Sequence, residues 1–319
     1  MRYIGQKAVQ LLVVLFLVTF LTYLLLDLLP GGPEIAALGP GATEEQIAAF
    51  RAETNLDDPL LVRYGKWVSD AVTGDLGDSF IRNTPVNELL GQRLVATLQL
   101  MLYTTIFSLA VAVPLGILSA YKADSWFDKS SNTIAFGLLS VPNFILAVLL
   151  IFLFGGQGLL DWFPAATYVP FSEDPYEHFH HMVLPVLALA AGQIAVYMRL
   201  LRTDMISTLQ EDFIGVARAK GMPTRRILLR HALRPSSFSL LTVAAINVGA
   251  LIGGTIVVER IFAIAGLGSL IVEAIFQRDY FVVQGAIVVI AVGFVLVNFL
   301  VDVLYAVLDP RIRHARAIA

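Results

Sequence analysis

Residues 212–235 concentrate the side chains best suited to recognition. Asp212-Phe213-Ile214-Gly215-Val216-Ala217-Arg218-Ala219-Lys220-Gly221-Met222-Pro223 is followed by Arg225, Arg226, Arg230, His231 and Arg234. Phe213, Val216, Ala217 and the stem of Lys220 fall on one face of a short helix. Gly221 and Pro223 would end that helix, since glycine accepts the left-handed cap and proline cannot continue the turn. Such a segment supports two chemistries. Its cations can hold the chain at an anionic lipid surface and fix its topology. Alternatively, its apolar ridge, flanked by Arg218, Lys220, Arg225 and Arg226, can dock in the groove of a cytoplasmic partner.

Bond-making chemistry finds little support elsewhere. The chain has no cysteine, which removes disulfides, thiolate zinc sites, iron–sulfur clusters and a cysteine nucleophile. It has no G-x-x-x-x-G-K-[ST] phosphate cradle, so it cannot be its own ATPase, and no H-E-x-x-H or G-x-S-x-G pattern. His178-Phe179-His180-His181, with Glu177 before it, reads as a hydrated loop at a helix boundary more readily than as a zinc site. Asp27 and Asp302 are the candidate carboxylates within apolar runs, and both lie near a run's end. Capping or hydrated roles therefore suit them better than proton relay. Neutral polar groups are more plentiful: Gln99, Asn143, Gln193, Asn247 and Asn298 can either join helices by hydrogen bonds or line a polar path. Pro142 can break its helix beside Asn143, and Gly249 and Gly253 form a G-x-x-x-G pattern for close packing within the chain or at a subunit seam.

The elements that must position these groups follow from composition. Of 319 residues, 57% are hydrophobic and 15% charged, with mean hydropathy +0.75, which points to a bilayer as the solvent. A hydrocarbon core about 30 Å thick takes roughly 20 apolar residues per helix. Six runs qualify: Ala8–Leu29, Val95–Tyr121, Thr133–Phe154, Val183–Leu201, Phe238–Val258 and Val282–Leu308. The first exceeds a secretory signal core and lacks a cleavage pattern, so it is expected to remain as a helix. With the N-terminus inside, 15 of the 22 Lys and Arg fall on the cytoplasmic side and 7 outside, which puts both termini in the cytoplasm. The net charge of −3 gives no reason to expect nucleic-acid binding.

Residues 30–92 form the longest connection. Pro30-Gly31-Gly32-Pro33 should stop the first helix, Thr43-Glu44-Glu45-Gln46 reads as a helix start, and Leu56, Leu60, Tyr64 and Trp67 could share one buried helical face. This segment is expected to be a small folded cap.

The loop 204–235 resembles the Glu-Ala-Ala (EAA) loop of ABC importer permeases, although Gly215 stands for the Glu, Val216 for the first Ala and His231 for the later Ile. Ala217-Arg218-Ala219-Lys220-Gly221 with Arg230-His231-Ala232-Leu233-Arg234 is similar to the narrower version found in the dipeptide, oligopeptide and nickel permease family, in its first, OppB/DppB-like subunit. The same resemblance runs through Leu29-Pro30-Gly31-Gly32-Pro33, Leu56-Asp57-Asp58-Pro59, Gly74-Asp75-Leu76-Gly77-Asp78-Ser79, Val258-Glu259-Arg260-Ile261-Phe262, Gly266-Leu267-Gly268, Arg278-Asp279-Tyr280 and Asp309-Pro310-Arg311.

The resemblance implies an all-α integral membrane protein with six transmembrane helices in an ABC importer type I, MetI-like bundle. Residues 1–29 would be the first helix, 30–92 an extracytoplasmic cap, 93–310 a five-helix core and 311–319 a cytoplasmic tail. The implied partners are a second homologous permease, two cytoplasmic ATP-binding subunits that hold ATP and Mg, an extracytoplasmic solute-binding protein and a peptide substrate. In that setting Asp212, Phe213, Val216, Ala217, Arg218, Lys220, Gly221, Arg225 and Arg226 would receive the ATPase, and the five amides would line a path for a peptide backbone. Nickel, glutathione or haem are alternative cargoes of the same machinery. A stand-alone ion-coupled carrier, a membrane scaffold and an intramembrane enzyme remain rivals from other classes. A cell membrane of a bacterium or archaeon is the expected location.

Overall fold

Where water is absent, a backbone must close its own hydrogen bonds, and this chain does so almost entirely as helix. The computed structural model describes residues 2–28, 32–39, 41–156 and 158–308. The helix stop at Leu29, Pro30 and Gly31, the side chain of Asp302, and Asp309-Pro310-Arg311 with the tail lie outside the described residues or side chains.

Two compact units emerge: residues 1–97 with 265–295, and residues 98–264 with 296–319. The first holds α1 (Arg2–Asp27), α2 (Gly32–Leu38), α3 (Glu44–Glu53) and α4 (Leu60–Thr73). A two-residue hairpin follows, β1 (Asp78–Ser79) pairing antiparallel with β2 (Thr84–Pro85). Thr43 caps α3 in a reciprocal box with Gln46, as the sequence suggests. Tyr64 and Trp67 are the buried residues of α4. The Tyr64 ring meets Phe16, Phe20 and Tyr23 of α1 at centroid distances of 6.0, 5.2 and 5.7 Å, and its hydroxyl lies 2.8 Å from Thr19 Oγ1. Leu56 precedes the helix and so does not share that face. Arg63 takes Asp27 at 2.6 Å, which gives the carboxylate a partner at its helix end.

The same unit contains the start of α5 (Val86–Tyr121), α12 (Leu267–Gln277) and most of α13 (Tyr280–Leu308). Val86, Leu89 and Leu90 pack on Leu270, Ile271, Ala274, Val282 and Ala286. Gly285 lies so close that a Cβ there would sit 2.6 Å from Val86 Cγ1. Ser79 donates to Asp279, and Arg82 pairs with Glu273 at 2.9 Å, so the hairpin is tied to α12 and to the start of α13.

In the second unit, α5 continues and is followed by α6 (Trp126–Ser140), α7 (Asn143–Phe154), α8 (Pro175–Leu209) and α9 (Asp212–Ala219). A short α10 (Thr224–Arg226) leads through one π-helical turn, Ile227–Ala232, into α11 (Leu233–Ile261). Small residues allow close approach: a Cβ on Gly116 would lie 3.1 Å from both Leu201 Cβ and the Met198 carbonyl. Asp128, 2% exposed, accepts from Arg202 Nε at 2.5 Å and Nη2 at 2.6 Å, and also from Asn132 and the Asp124 amide, which fixes α6 to α8.

The expected third span, Thr133–Phe154, is not one helix: α6 and α7 meet at 104°. Pro142 cannot donate to the preceding turn and biases Val141 to the extended conformation, which it adopts. Among the described residues four helices are long and apolar enough to cross a membrane, or five if the bent pair counts as one span, and Leu11–Asp27 forms a shorter apolar helix. The helices α5 and α8 run beyond their apolar runs, and α12 and the hairpin were not anticipated, since α12 is too short to pass a span test and β1–β2 has two residues a side.

These contacts make stability measurable at two places. Arg202→Met should leave the Asp128 carboxylate buried without its cation and cost about 3–5 kcal/mol. Thermal unfolding in detergent would register this, and an unshifted transition would refute it. Burial pushes the Asp279 carboxyl above its ordinary 3.8, against the opposing Ser79 hydroxyl, Val282 amide and Arg82 guanidinium. The fold therefore favours the protonated acid, and its contribution is lost as pH rises from 3.8 through the raised value. Unfolding midpoints should decline across that window, and Asp279→Asn should flatten the decline; an identical slope in the variant would exclude this origin.

Candidate functional site

The segment that links α8 to α11 is built as a bracket. Glu211 precedes α9, and the Ile214 amide closes on its carbonyl at 3.0 Å. At the other end the amides of Lys220, Gly221 and Met222 return to the carbonyls of Val216, Arg218 and Ala217 at 3.0, 2.9 and 3.2 Å. Gly221 makes this possible with φ +72°, in open space, and Pro223 follows. The π turn ends at Ala232, three residues before Pro235, which has no N–H for the His231 carbonyl.

Burial divides α9 into two faces. Ile214 is 0% and Ala217 5% exposed, and both belong to the core formed by Tyr197, Leu201, Met205, Ile227, Leu228 and Leu240. Phe213 and Val216 face outward at 48% and 54%, and Leu229 of the π turn is exposed at 47%. This corrects one expectation: Ala217 belongs to the anchoring face, because positions 214 and 217 lie three apart and point inward together, while 213 and 216 form the outer pair. Gly215 has no atom within 4 Å of a Cβ position. Arg218, Lys220, Arg225 and Arg226 are exposed around the ridge. Asp212 stands in the first turn of α9, where a carboxylate suits the free amides. The anchor Ile214 and the outward Leu229 were both missed; the three-residue spacing of Ile214 and Ala217 was the available signal.

The amides separate as well. Asn143, Gln193 and Asn247 converge on a cleft of about 250 Å³ with Leu139, Gly192 and Ala250. The Tyr197 hydroxyl lies 3.5 Å from Gln193 Oε1. Among the described residues no Asp, Glu, Lys, Arg or His lines this cleft. Gln99 is elsewhere and accepts from the Tyr168 hydroxyl at 3.2 Å, and Asn298 lies on α13, half-buried. Gly249 is buried, whereas Gly253 and Gly254 meet nothing within 4 Å of a Cβ position, so among the described residues that half of the G-x-x-x-G pattern packs on no other element.

The histidines are not a hydrated loop. His178 is fully buried, its Nδ1 donating to the Val169 carbonyl at 2.8 Å and its Nε2 accepting from Tyr103 at 3.2 Å, inside a ring of Tyr168, Phe171 and Phe179. His180 donates to the Trp162 carbonyl and His181 to that of Glu177. His178 and His180 thus fasten the start of α8 to the preceding loop, while His181 bonds within the helix, and among the described residues no group of His, Asp and Glu is arranged to hold a metal.

Comparison with known proteins gives this geometry a family. Residues 112–314 match the model of the binding-protein-dependent transport system inner membrane component, and residues 1–101 match the N-terminal membrane component of the same systems. A Brucella abortus protein assigned by its name to peptide transport is 40% identical over 309 residues, covering 97% of this chain and 98% of its own. The oligopeptide transport system permease AppB of Bacillus subtilis is 36% identical, with 98% and 99% covered. The glutathione transport system permease GsiC of Escherichia coli is 35% identical at the same coverage. Among solved structures, the inward-facing MetNI methionine ABC transporter aligns with TM-score 0.55 and 18% identity over 69% of this chain and 96% of its own, which identifies the fold. The chain therefore belongs to the family of binding-protein-dependent transport system inner membrane components, as a multi-pass ABC importer permease with the MetI-like helical fold.

Proposed function

We propose that this chain is one of two related permeases that together form the path for short peptides across a bacterial cytoplasmic membrane, driven by two ATP-binding subunits on the inner side. The observation that carries the reading is the two-faced helix α9. Ile214 and Ala217 root it in the core shared by α5, α6, α8 and α11, and Phe213 and Val216 stand outward. A partner that grips the outer pair and moves with nucleotide state displaces a rigid lever, and the membrane helices move with it. Arg218, Lys220, Arg225 and Arg226 supply orientation and on-rate around that grip. ATP and Mg belong to the partner; this chain supplies the socket's counterpart.

The substrate class rests on two supports. The relatives carry the names of peptide, oligopeptide and glutathione permeases, and glutathione is itself a short peptide. The cleft at Asn143, Gln193 and Asn247 offers amides without charge, a lining that can meet a peptide backbone and is indifferent to the charge of its side chains. At about 250 Å³ it is smaller than the roughly 300–1,000 Å³ of an enclosing ligand site. One wall of a path is the role that fits, with the second permease as the other wall and the unmatched Gly253 and Gly254 at their seam. Selection among peptides then falls to an extracytoplasmic binding protein docking on the opposite face.

The test is uptake by the reconstituted complex. Phe213→Ser and Val216→Glu lie on the outward face and should leave the unfolding midpoint in place. Each should weaken ATPase docking by about 2 kcal/mol, near thirtyfold, and depress ATP-driven peptide uptake accordingly. Ala217→Glu should instead destabilise the permease itself. Full uptake with either outward variant, or accumulation of peptide by this chain alone in a vesicle, would refute the reading.

A further inference from the structure

A second, larger pocket of about 430 Å³ opens beside the Asp128–Arg202 pair, between the start of α6 and the last turns of α8. Its walls include Lys129, Phe136, Arg199 and Asp124. The charges in it are not balanced. Asp128 is consumed by Arg202, Asn132 and the Asp124 amide. Lys129 and Arg199 have no ion-pair partner among the described residues, so two cations face one remaining carboxylate, that of Asp124. Arg199 is held rather than loose, its guanidinium carbon 4.1 Å from the centroid of the Phe136 ring.

The surroundings fix the height of the pocket in the bilayer. Trp126, the first residue of α6, is 82% exposed, and Lys122 lies 5.9 Å over the Phe127 ring. Aromatic and basic residues gathered at the end of apolar helices mark the headgroup level. Further along α6, Phe136 lines the pocket and is 54% exposed. The pocket thus offers cations at one end and bare hydrocarbon contact at the other, which a soluble anion cannot use and a phospholipid can. Basic pockets between helices on the cytoplasmic side take anionic headgroups.

We propose that this pocket holds an anionic phospholipid of the cytoplasmic leaflet, its phosphate between Lys129 and Arg199 and an acyl chain along Phe136. The lipid would complete the charge balance at the junction of α6 and α8. The assignment rests on the orientation taken under the proposed function, with the loop before Trp126 inside.

Native mass spectrometry of the whole purified transporter, titrated with phosphatidylglycerol or phosphatidylcholine, reads the site directly. The intact complex should retain phosphatidylglycerol in preference to phosphatidylcholine. Lys129→Gln and Arg199→Gln should each weaken phosphatidylglycerol about fivefold and together about 25-fold, with phosphatidylcholine unchanged and with Lys129→Arg restoring retention. Millimolar inorganic phosphate should not displace the lipid. Equal retention by the double variant, equal affinity for the two lipids, or displacement by phosphate would each overturn the assignment. If the double variant fails to assemble, Lys129→Gln alone decides, since that side chain is exposed. Labelling of Lys122 and Lys129 by a membrane-impermeant amine reagent in inverted vesicles reads orientation separately, so failure of the topology and failure of the lipid site are distinguishable.

Discussion

The burial of Ile214 and Ala217 in the core between the helices is the contact on which the proposed mechanism depends. A helix of eight residues is too short to be stable on propensity alone. It holds its shape because two side chains enter the cluster that already contains Tyr197, Leu201, Met205 and Leu240, and because Gly221 and Pro223 end it cleanly. That cluster draws residues from α5, α6, α8, the π turn and α11. A force applied to α9 is therefore applied to all of them, since close-packed interiors transmit displacement rather than absorb it. A flexible basic loop with the same composition would bind a partner and move nothing.

Polar groups in or near a bilayer are costly without partners inside the protein. Three features of this chain answer that cost. Asp128 and Arg202 consume each other with bidentate geometry, His178 closes on a carbonyl and a tyrosine, and the break at Pro142 opens beside a cleft lined by amides rather than toward hydrocarbon. The charged pair holds two helices together, and the cleft is lined by neutral amides without a fixed charge among the described residues. In the proposed reading that leaves nothing to trap or exclude a peptide by the charge of its side chains.

How much of this was legible in the sequence varies with the physics involved. The helical, membrane-spanning class was readable because apolar runs of about 20 residues match the thickness of a bilayer, whereas the 104° bend inside the run Thr133–Phe154 was not. The glycine and proline that end α9 were readable from equally local chemistry, as was the capping box at Thr43. The short helix at Asp212–Ala219 was readable as an element, but Ala217 was placed on its outer face, because a helical wheel groups apolar residues without saying which flank meets the core. Tertiary partners were not readable at all: nothing local says that Asp128 will reach Arg202, 74 residues on, or that His178 will be walled by aromatics. Of five amides named for a path, three meet and two do not. An Asn or Gln reports polarity, and convergence is decided by helix rotation and by the 104° bend.

The charge pattern of the chain joins these points. The expected bias of fifteen Lys and Arg to one side concerns only their number and side, not their placement on particular turns. Arg202 is spent on a buried carboxylate, and Arg199 is stacked on a ring at the mouth of a pocket. Arg218, Lys220, Arg225 and Arg226 surround an apolar ridge and stay exposed there. Only the first has an observed role, holding two helices together; meeting the lipid surface and orienting a protein partner are the roles proposed for the other two. Composition alone makes them look like one basic patch, and burial separates them. A cation buried against an acid is structural, one stacked at the headgroup level is suited to a lipid, and one left exposed beside Phe213 and Val216 is suited to a protein.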